Sequence, residues 1–155
     1  MVSSPTCLTI EDTIVNPPAP TLVIGLGCKS GCSADTLLEL IEQQLKAYGT
    51  EMSAIDALTS IEHKRTEPGL LELAERLEKP LVLFNALHLS AFERQLSHRS
   101  QAAFDSTGCW GVAESAALAL AVQLGGGNTG LLIKRQNSAE ATFALAGSTA
   151  HPENP

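Results

Sequence analysis

A chain of 155 residues with 44% hydrophobic residues is long enough for one domain with its own core, without disulfide or metal staples. Its 17 acidic residues against 10 basic ones leave a net charge of −7 with no basic block, which argues against nucleic-acid binding, a process that runs on phosphate neutralisation by Lys and Arg. The first residues lack the basic start, apolar core and cleavage site of a signal peptide, and the longest apolar-rich stretch, Val112 to Leu124, is too short to span a bilayer, so a soluble, cytoplasmic protein with no membrane partner is expected.

Residues 1–20 read as a flexible arm, because "NPPAP" (Asn16 to Pro20) can neither continue a helix nor donate regular ladder bonds. "TLVIG" (Thr21 to Gly25) is a short apolar run that reads as a buried strand. A glycine turn follows, and then a helix with Ser33 as cap, Asp35 in the first turn, an apolar face of Leu37, Leu38, Ile41 and Leu45, and Gly49 as stop. "MSAIDAL" (Met52 to Leu58) is expected to be a second strand. A second helix is expected in "TEPGLLELAERLEK", capped by Thr66 or Glu67, with Pro68 in its first turn. "PLVLF" (Pro80 to Phe84) is a third strand. "LSAFERQL" (Leu89 to Leu96) is expected to be a helix opened by a capping box of Ser90 and Glu93. "GVAESAALALAVQL" (Gly111 to Leu124) is a helix apolar nearly all round, hence well buried, and the "GGG" at 125–127 ends it. "GLLIKR" and "ATFALA" alternate around a polar break and predict a closing hairpin.

This order, βαβαβααββ, implies a three-layer α/β/α fold: a mixed, mostly parallel sheet of about five strands with helices on both faces. The folded unit is expected over residues 21–146, with 147–155 a flexible tail.

Ligands of open α/β sheets bind beyond the carboxyl ends of the strands, where the turn Gly25-Leu26-Gly27-Cys28-Lys29-Ser30-Gly31 is expected. A dinucleotide fingerprint fits poorly, because its last glycine falls one residue late and the expected acidic residue is misplaced; a Walker loop lacks the glycine before its lysine. An anion site at a helix start, with Lys29, Ser30 and Ser33 as added donors, and a turn that only packs a helix on its strand both stay open. Cys28 and Cys32 read as small buried hydrophobes, with a reactive Cys28 as the alternative. The four cysteines contain no CxxC pair and the four histidines no ligand spacing, so neither a metal nor a cofactor is expected.

Four ordered blocks, "GLGCKSGCSADTL", "TSIEHKRTEPGLLELAERLEKPL", "STGCWGVAESAALALA" and "GLLIKRQNSAEATFALA", resemble the CobE family of cobalamin biosynthesis and the C-terminal domain of CbiG proteins. Gly25, Gly27, Cys28, Lys29 and Gly31 fall on the first block. Ser60, Ile61, Lys64, Glu67 and Leu70 fall on the second. Gly111, Val112, Glu114, Ala117 and Leu118 fall on the third, and Lys134 on the fourth. Glu62, where aspartate is usual, and Cys32, where a small hydroxyl residue is usual, depart from the pattern.

The resemblance implies a place in corrin-ring construction on the aerobic route, with a carboxylate-rich precorrin as small-molecule partner and other enzymes of that pathway as candidate protein partners. It also implies an alternative, since CbiG proteins open a lactone on a cobalt-containing precorrin: a small hydrolase. A ligand bearing several carboxylates calls for helix starts and spaced cations. One cleft is therefore expected, lined by Gly27 to Gly31, Lys64, Glu67 and Gly108 to Ser115, with Gly111 and Ser115 among its binding residues. Glu67 and Glu114 are the acid–base candidates. Glu67 also reads as a helix cap, and Glu114 as half of an ion pair with Lys64 or Lys29. His63 reads as surface. Trp110 could stack on a flat macrocycle or pack ahead of the last helix.

Overall fold

The computed structural model describes residues 21–97, 99–125, 129–138 and 140–148. The expected N-terminal arm, two of the glycines at 125–127, His98, His151 and most of the expected tail lie outside the described residues.

Strands β1 (Leu22–Cys28), β2 (Ala57–Ile61), β3 (Leu81–Phe84), β4 (Thr129–Asn137) and β5 (Ala141–Ser148) form one sheet in the order β3-β2-β1-β5-β4. β1 pairs in parallel with β2, and β2 with β3; β5 runs antiparallel between β1 and β4. Four of the five strands thus point the same way, and the expected mixed sheet with its closing hairpin is present.

Helices α1 (Ala34–Tyr48) and α2 (Pro68–Leu77) cover one face. Leu37, Ile41, Leu70 and Leu73 meet Ile24, Leu26, Leu58 and Phe143 there. Helix α5 (Val112–Gly125) covers the other face, with α3 (Ala86–Ser90) against it; Ala113, Ala117 and Leu120 meet Val23, Ala57 and Ala144. Alanine-rich composition lets α5 approach the sheet very closely. A Cβ on Gly25 would lie 1.9 Å from the Ala113 carbonyl oxygen. Gly25 is therefore the strand residue that admits the helix backbone.

Three local expectations are corrected. β2 begins at Ala57 and ends at Ile61, while Met52–Ala54 forms a 3-10 turn. The apolar run that reads as a strand is displaced because Ile55 is used as a core contact of the α1 side. The helix expected at 89–96 is replaced by α3, which starts earlier, at an Asn85 cap (His88 N–H to Asn85 Oδ1, 2.7 Å); Ser90 caps nothing and donates back to the Leu87 carbonyl (2.6 Å). A further short helix, α4 (Gln101–Thr107), was not expected: Ser100 accepts from the Ala103 N–H (3.1 Å), a cap followed by too little apolar periodicity to signal a helix.

β1 also runs three residues past the expected strand end, so Gly27 and Cys28 are strand residues and the turn proper is Lys29 to Ser33. β4 carries two register shifts against β5, between Leu131 and Ile133 and between Ile133 and Gln136. The second leaves Lys134 and Arg135 opposite Ala144 alone, a β-bulge.

Candidate functional site

The carboxyl ends of β1 and β2, the β4–β5 turn, the start of α5 and one side of α4 enclose an open cleft of about 460 Å³. Such a volume lies in the range of small-molecule pockets. Its floor is apolar, formed by Ile61, Val112 and Ala113, and α4 contributes Ala102, Ala103 and Thr107. Lys29, Lys64 and Arg135 stand around it with His63. Among the described residues none of these cations is in a salt bridge, since the ion pairs found join Arg76 to Asp35 and Glu72. A protein of net charge −7 thus gathers cations at one concavity.

The start of α5 opens into the same space. Gly111 precedes it and has no side chain to cap with, and Ser115 N–H makes the first helical bond, to the Gly111 carbonyl (3.0 Å). Among the described residues no group accepts from the N–H groups of Val112 or Ala113. Free N–H groups at a helix start favour an anion.

The sequence candidates divide. Gly27, Cys28, Lys29, Ser30, Lys64, Gly111 and Glu114 line the cleft. Gly25 is buried beneath α5, Ser115 is buried and accepts from the Cys109 thiol (3.7 Å), and neither lines it. Gly31 lies on the other side of the turn in the left-handed region (φ 85°). Its N–H donates to Glu67 Oε2 (2.8 Å), so the anion bound by the glycine turn is a carboxylate of the protein itself. Glu67 stands at the cap position of α2 but makes no cap bond there. It faces a shallow groove with Gly31, Ser33 and Asp35 instead of the cleft.

Glu114 is buried and is not paired with Lys64 or Lys29, contrary to the sequence expectation. It accepts from Ser97 N–H (2.8 Å, Oε1), from the Ser97 hydroxyl and from Arg135 N–H (2.8 Å, Oε2). Three hydrogen bonds compensate the burial of its carboxylate without a counter-cation.

Burial pushes the Cys28 thiol up to about 11, with Lys64 acting against the shift and Cys32 and Glu67 adding to it. Burial raises Cys32 too. Both cysteines are therefore protonated at neutral pH, and the reactive-Cys28 alternative is set aside. Trp110 stacks on Phe104 (centroids 4.4 Å apart, 19° between planes) and packs outside the cleft lining. Lys134 is exposed and does not line the cleft. Among the described residues no three His, Cys, Asp or Glu side chains are grouped for a metal ion, and no helix is long and apolar enough to cross a membrane.

Arg135 and the β4–β5 turn were missed at the sequence level. Their only sequence signal is the basic pair Lys134-Arg135 in the hairpin, and strand alternation alone cannot say which of two neighbours a bulge turns inward.

The model of the family described as "Cobalamin synthesis G C-terminus" matches residues 22–146. Protein CobE of Sinorhizobium sp is 35% identical over 126 residues, which is 81% of this chain and 79% of that protein. The cobalt-precorrin-5A hydrolase of Priestia megaterium is 34% identical over 125 residues, 81% of this chain but 32% of the hydrolase, so the chain spans about a third of that enzyme's length. A crystal structure of CobE, a protein from the cobalamin (vitamin B12) biosynthetic pathway, superimposes with a TM-score of 0.81 at 43% identity, covering 85% of this chain and 93% of that one.

Proposed function

This chain belongs to the CobE/CbiG C-terminal family of cobalamin biosynthesis, and from that premise we propose that it binds a carboxylate-rich precorrin in the cleft at the carboxyl edge of the sheet. One observation carries the reading: Lys29, Lys64 and Arg135, free of salt bridges among the described residues, converge with the uncapped start of α5 on an apolar floor. Precorrins are macrocycles with carboxylate side chains at their rim. The floor suits an edge of the ring, and the cations and N–H groups suit its carboxylates.

The test is a visible-absorbance titration with cobyrinic acid, a corrin with free carboxylates. Wild type should show saturable binding that weakens as salt is added. Lys64→Ala and Lys29→Ala should each weaken it by about tenfold, the size of one charge-assisted hydrogen bond. Absence of saturable binding, or binding indifferent to both substitutions, overturns the reading.

Turnover is the second reading, favoured by the relatives named cobalt-precorrin-5A hydrolase and by the place of Glu114 in the cleft wall. Glu114 would then be the acid–base group, since Glu67 faces away. Conversion of many equivalents of a cobalt-precorrin would establish it; recovery of the ligand unchanged would leave a binding protein. A general acid or base contributes about 10²–10⁴-fold, so real turnover would be unmistakable.

A further inference from the structure

We infer that Glu114 is a positioning residue of the cleft, and that Arg135, which it holds in place, is the residue that distinguishes a free carboxylate of the ligand from an ester or amide. The inference rests on the binding reading above and deepens it.

Between Ile133 and Gln136 the register of β4 against β5 shifts, and at this bulge the Arg135 N–H donates to Glu114 Oε2 (2.8 Å). Bulges of this kind turn a side chain that alternation would send elsewhere. Lys134, its neighbour, is exposed, whereas Arg135 is half-buried and lines the cleft. A guanidinium there offers a planar fork of donors, which suits a carboxylate better than a flexible ammonium does.

The same carboxylate of Glu114 holds the opposite wall. Its two oxygens accept from the Ser97 N–H and hydroxyl. Ser97 lies just ahead of α4, whose start is tied by the Ser100 N–H to the Trp110 carbonyl (2.7 Å). One buried group at the start of α5 thus joins the segment ahead of α4 to β4. A carboxylate is suited to this, because it only accepts and has room for all three donors. A glutamine of the same shape has one oxygen fewer and adds donors where donors already stand.

The experiment is a double-mutant cycle on Glu114 and Arg135, read as the affinity for cobyrinic acid divided by the affinity for its methyl ester. Wild type should prefer the acid. Arg135→Ala should lower that preference by about tenfold, one charge-assisted contact. Glu114→Gln should lower it by a comparable factor. The double variant should be no worse than Arg135→Ala alone, because Glu114 acts through Arg135. A purely structural Glu114 would weaken acid and ester alike and leave the preference unchanged. Ser97→Ala, which removes one hydroxyl bond and keeps the fold, runs in the same cycle as a second probe of Glu114 should Glu114→Gln not fold; it should lower the preference by a smaller factor in wild type and not at all in the Arg135→Ala background.

Two failures are distinguishable. If wild type binds neither compound, the binding reading falls and this inference with it. If wild type prefers the acid but Arg135→Ala keeps the preference, or the two substitutions add, this inference alone is overturned.

Discussion

Two of the helix starts at the carboxyl edge of the sheet, that of α1 on one face and that of α5 on the other, are finished in opposite ways. The start of α1 is closed. Ser33 accepts from the Thr36 N–H (3.1 Å), and the Gly31 N–H in the preceding turn is taken by Glu67. The start of α5 is open. Gly111 offers no cap, no group among the described residues accepts from the N–H of Val112 or Ala113, and both residues line a cleft with Lys29, Lys64 and Arg135. The glycine-rich turn that looks most like an anion cradle has its anion built in, while the helix start with no recognisable motif is the one with room for a ligand. A motif tells which backbone groups can bind an anion; whether another part of the chain already supplies that anion is a tertiary matter.

Gly25→Ala should have the largest effect, since a Cβ there would lie 1.9 Å from a helix carbonyl. The open start of α5 is seated on that glycine, and overpacking against backbone should cost about 3 kcal/mol. Denaturant unfolding measures it, and a wild-type midpoint would mean that α5 can move off β1 cheaply.

Gly27→Val probes the space itself. Its Cβ would lie 2.6 Å from Thr142 Oγ1 and 3.7 Å from Val112, so the Thr142 side chain must rotate to admit it, and denaturant unfolding checks that the variant is folded before its affinity is read. Its branches would enter the cleft, and affinity for cobyrinic acid should fall by about tenfold or more, as a filled subsite loses contacts on both partners. Unchanged affinity would place the ligand elsewhere.

The closed start should respond in stability and not in binding. Glu67→Gln weakens a charge-assisted bond to the Gly31 N–H and should cost about 1 kcal/mol. Ser33→Ala removes a cap and should cost about 1 kcal/mol. Loss of tetrapyrrole affinity in either variant would show that the two starts form one site.

At neutral pH the smallest expected effect concerns Cys28, which lies between the two. Its thiol is held up at about 11 by burial, against 9.0 for the ordinary group. Between those values the unfolded chain releases the proton and the folded one retains it, so stability should fall as pH rises from about 9 toward about 11, with Cys28→Ala flattening the slope. Alkylation of Cys28 by iodoacetamide at pH 8 should accordingly be at least about tenfold slower than that of a free thiol; rapid alkylation would contradict the buried, protonated thiol.

Much of the fold was legible because its signals are local. Apolar runs such as "LVLF" and the 3.6-residue spacing of Leu37, Ile41 and Leu45 identify elements without knowledge of their neighbours, and Ser33 and Gly49 mark their own helix. α4 escaped because seven residues with no buried described side chain carry no periodicity. β2 was shifted because Ile55 serves the core from a turn, and a run of apolar residues does not show where pairing begins.

The site was legible in half. Lys29, Lys64 and Gly111 follow from the rule that strand ends and helix starts share one edge. Arg135 did not, because its direction is set by a bulge that exists only once β4 is paired with β5 and Glu114 stands behind it. The sequence by itself determined the layers, the edge on which the turns gather and the membership of a cobalamin-biosynthesis family, since each is written in residue types at fixed spacing. Only the tertiary structure decided that Glu67 closes the glycine turn and that Glu114 joins Ser97 to Arg135, because each depends on which distant group arrives first at a backbone N–H, and that the cations line one cleft, because that depends on how the strands and their turns pack together.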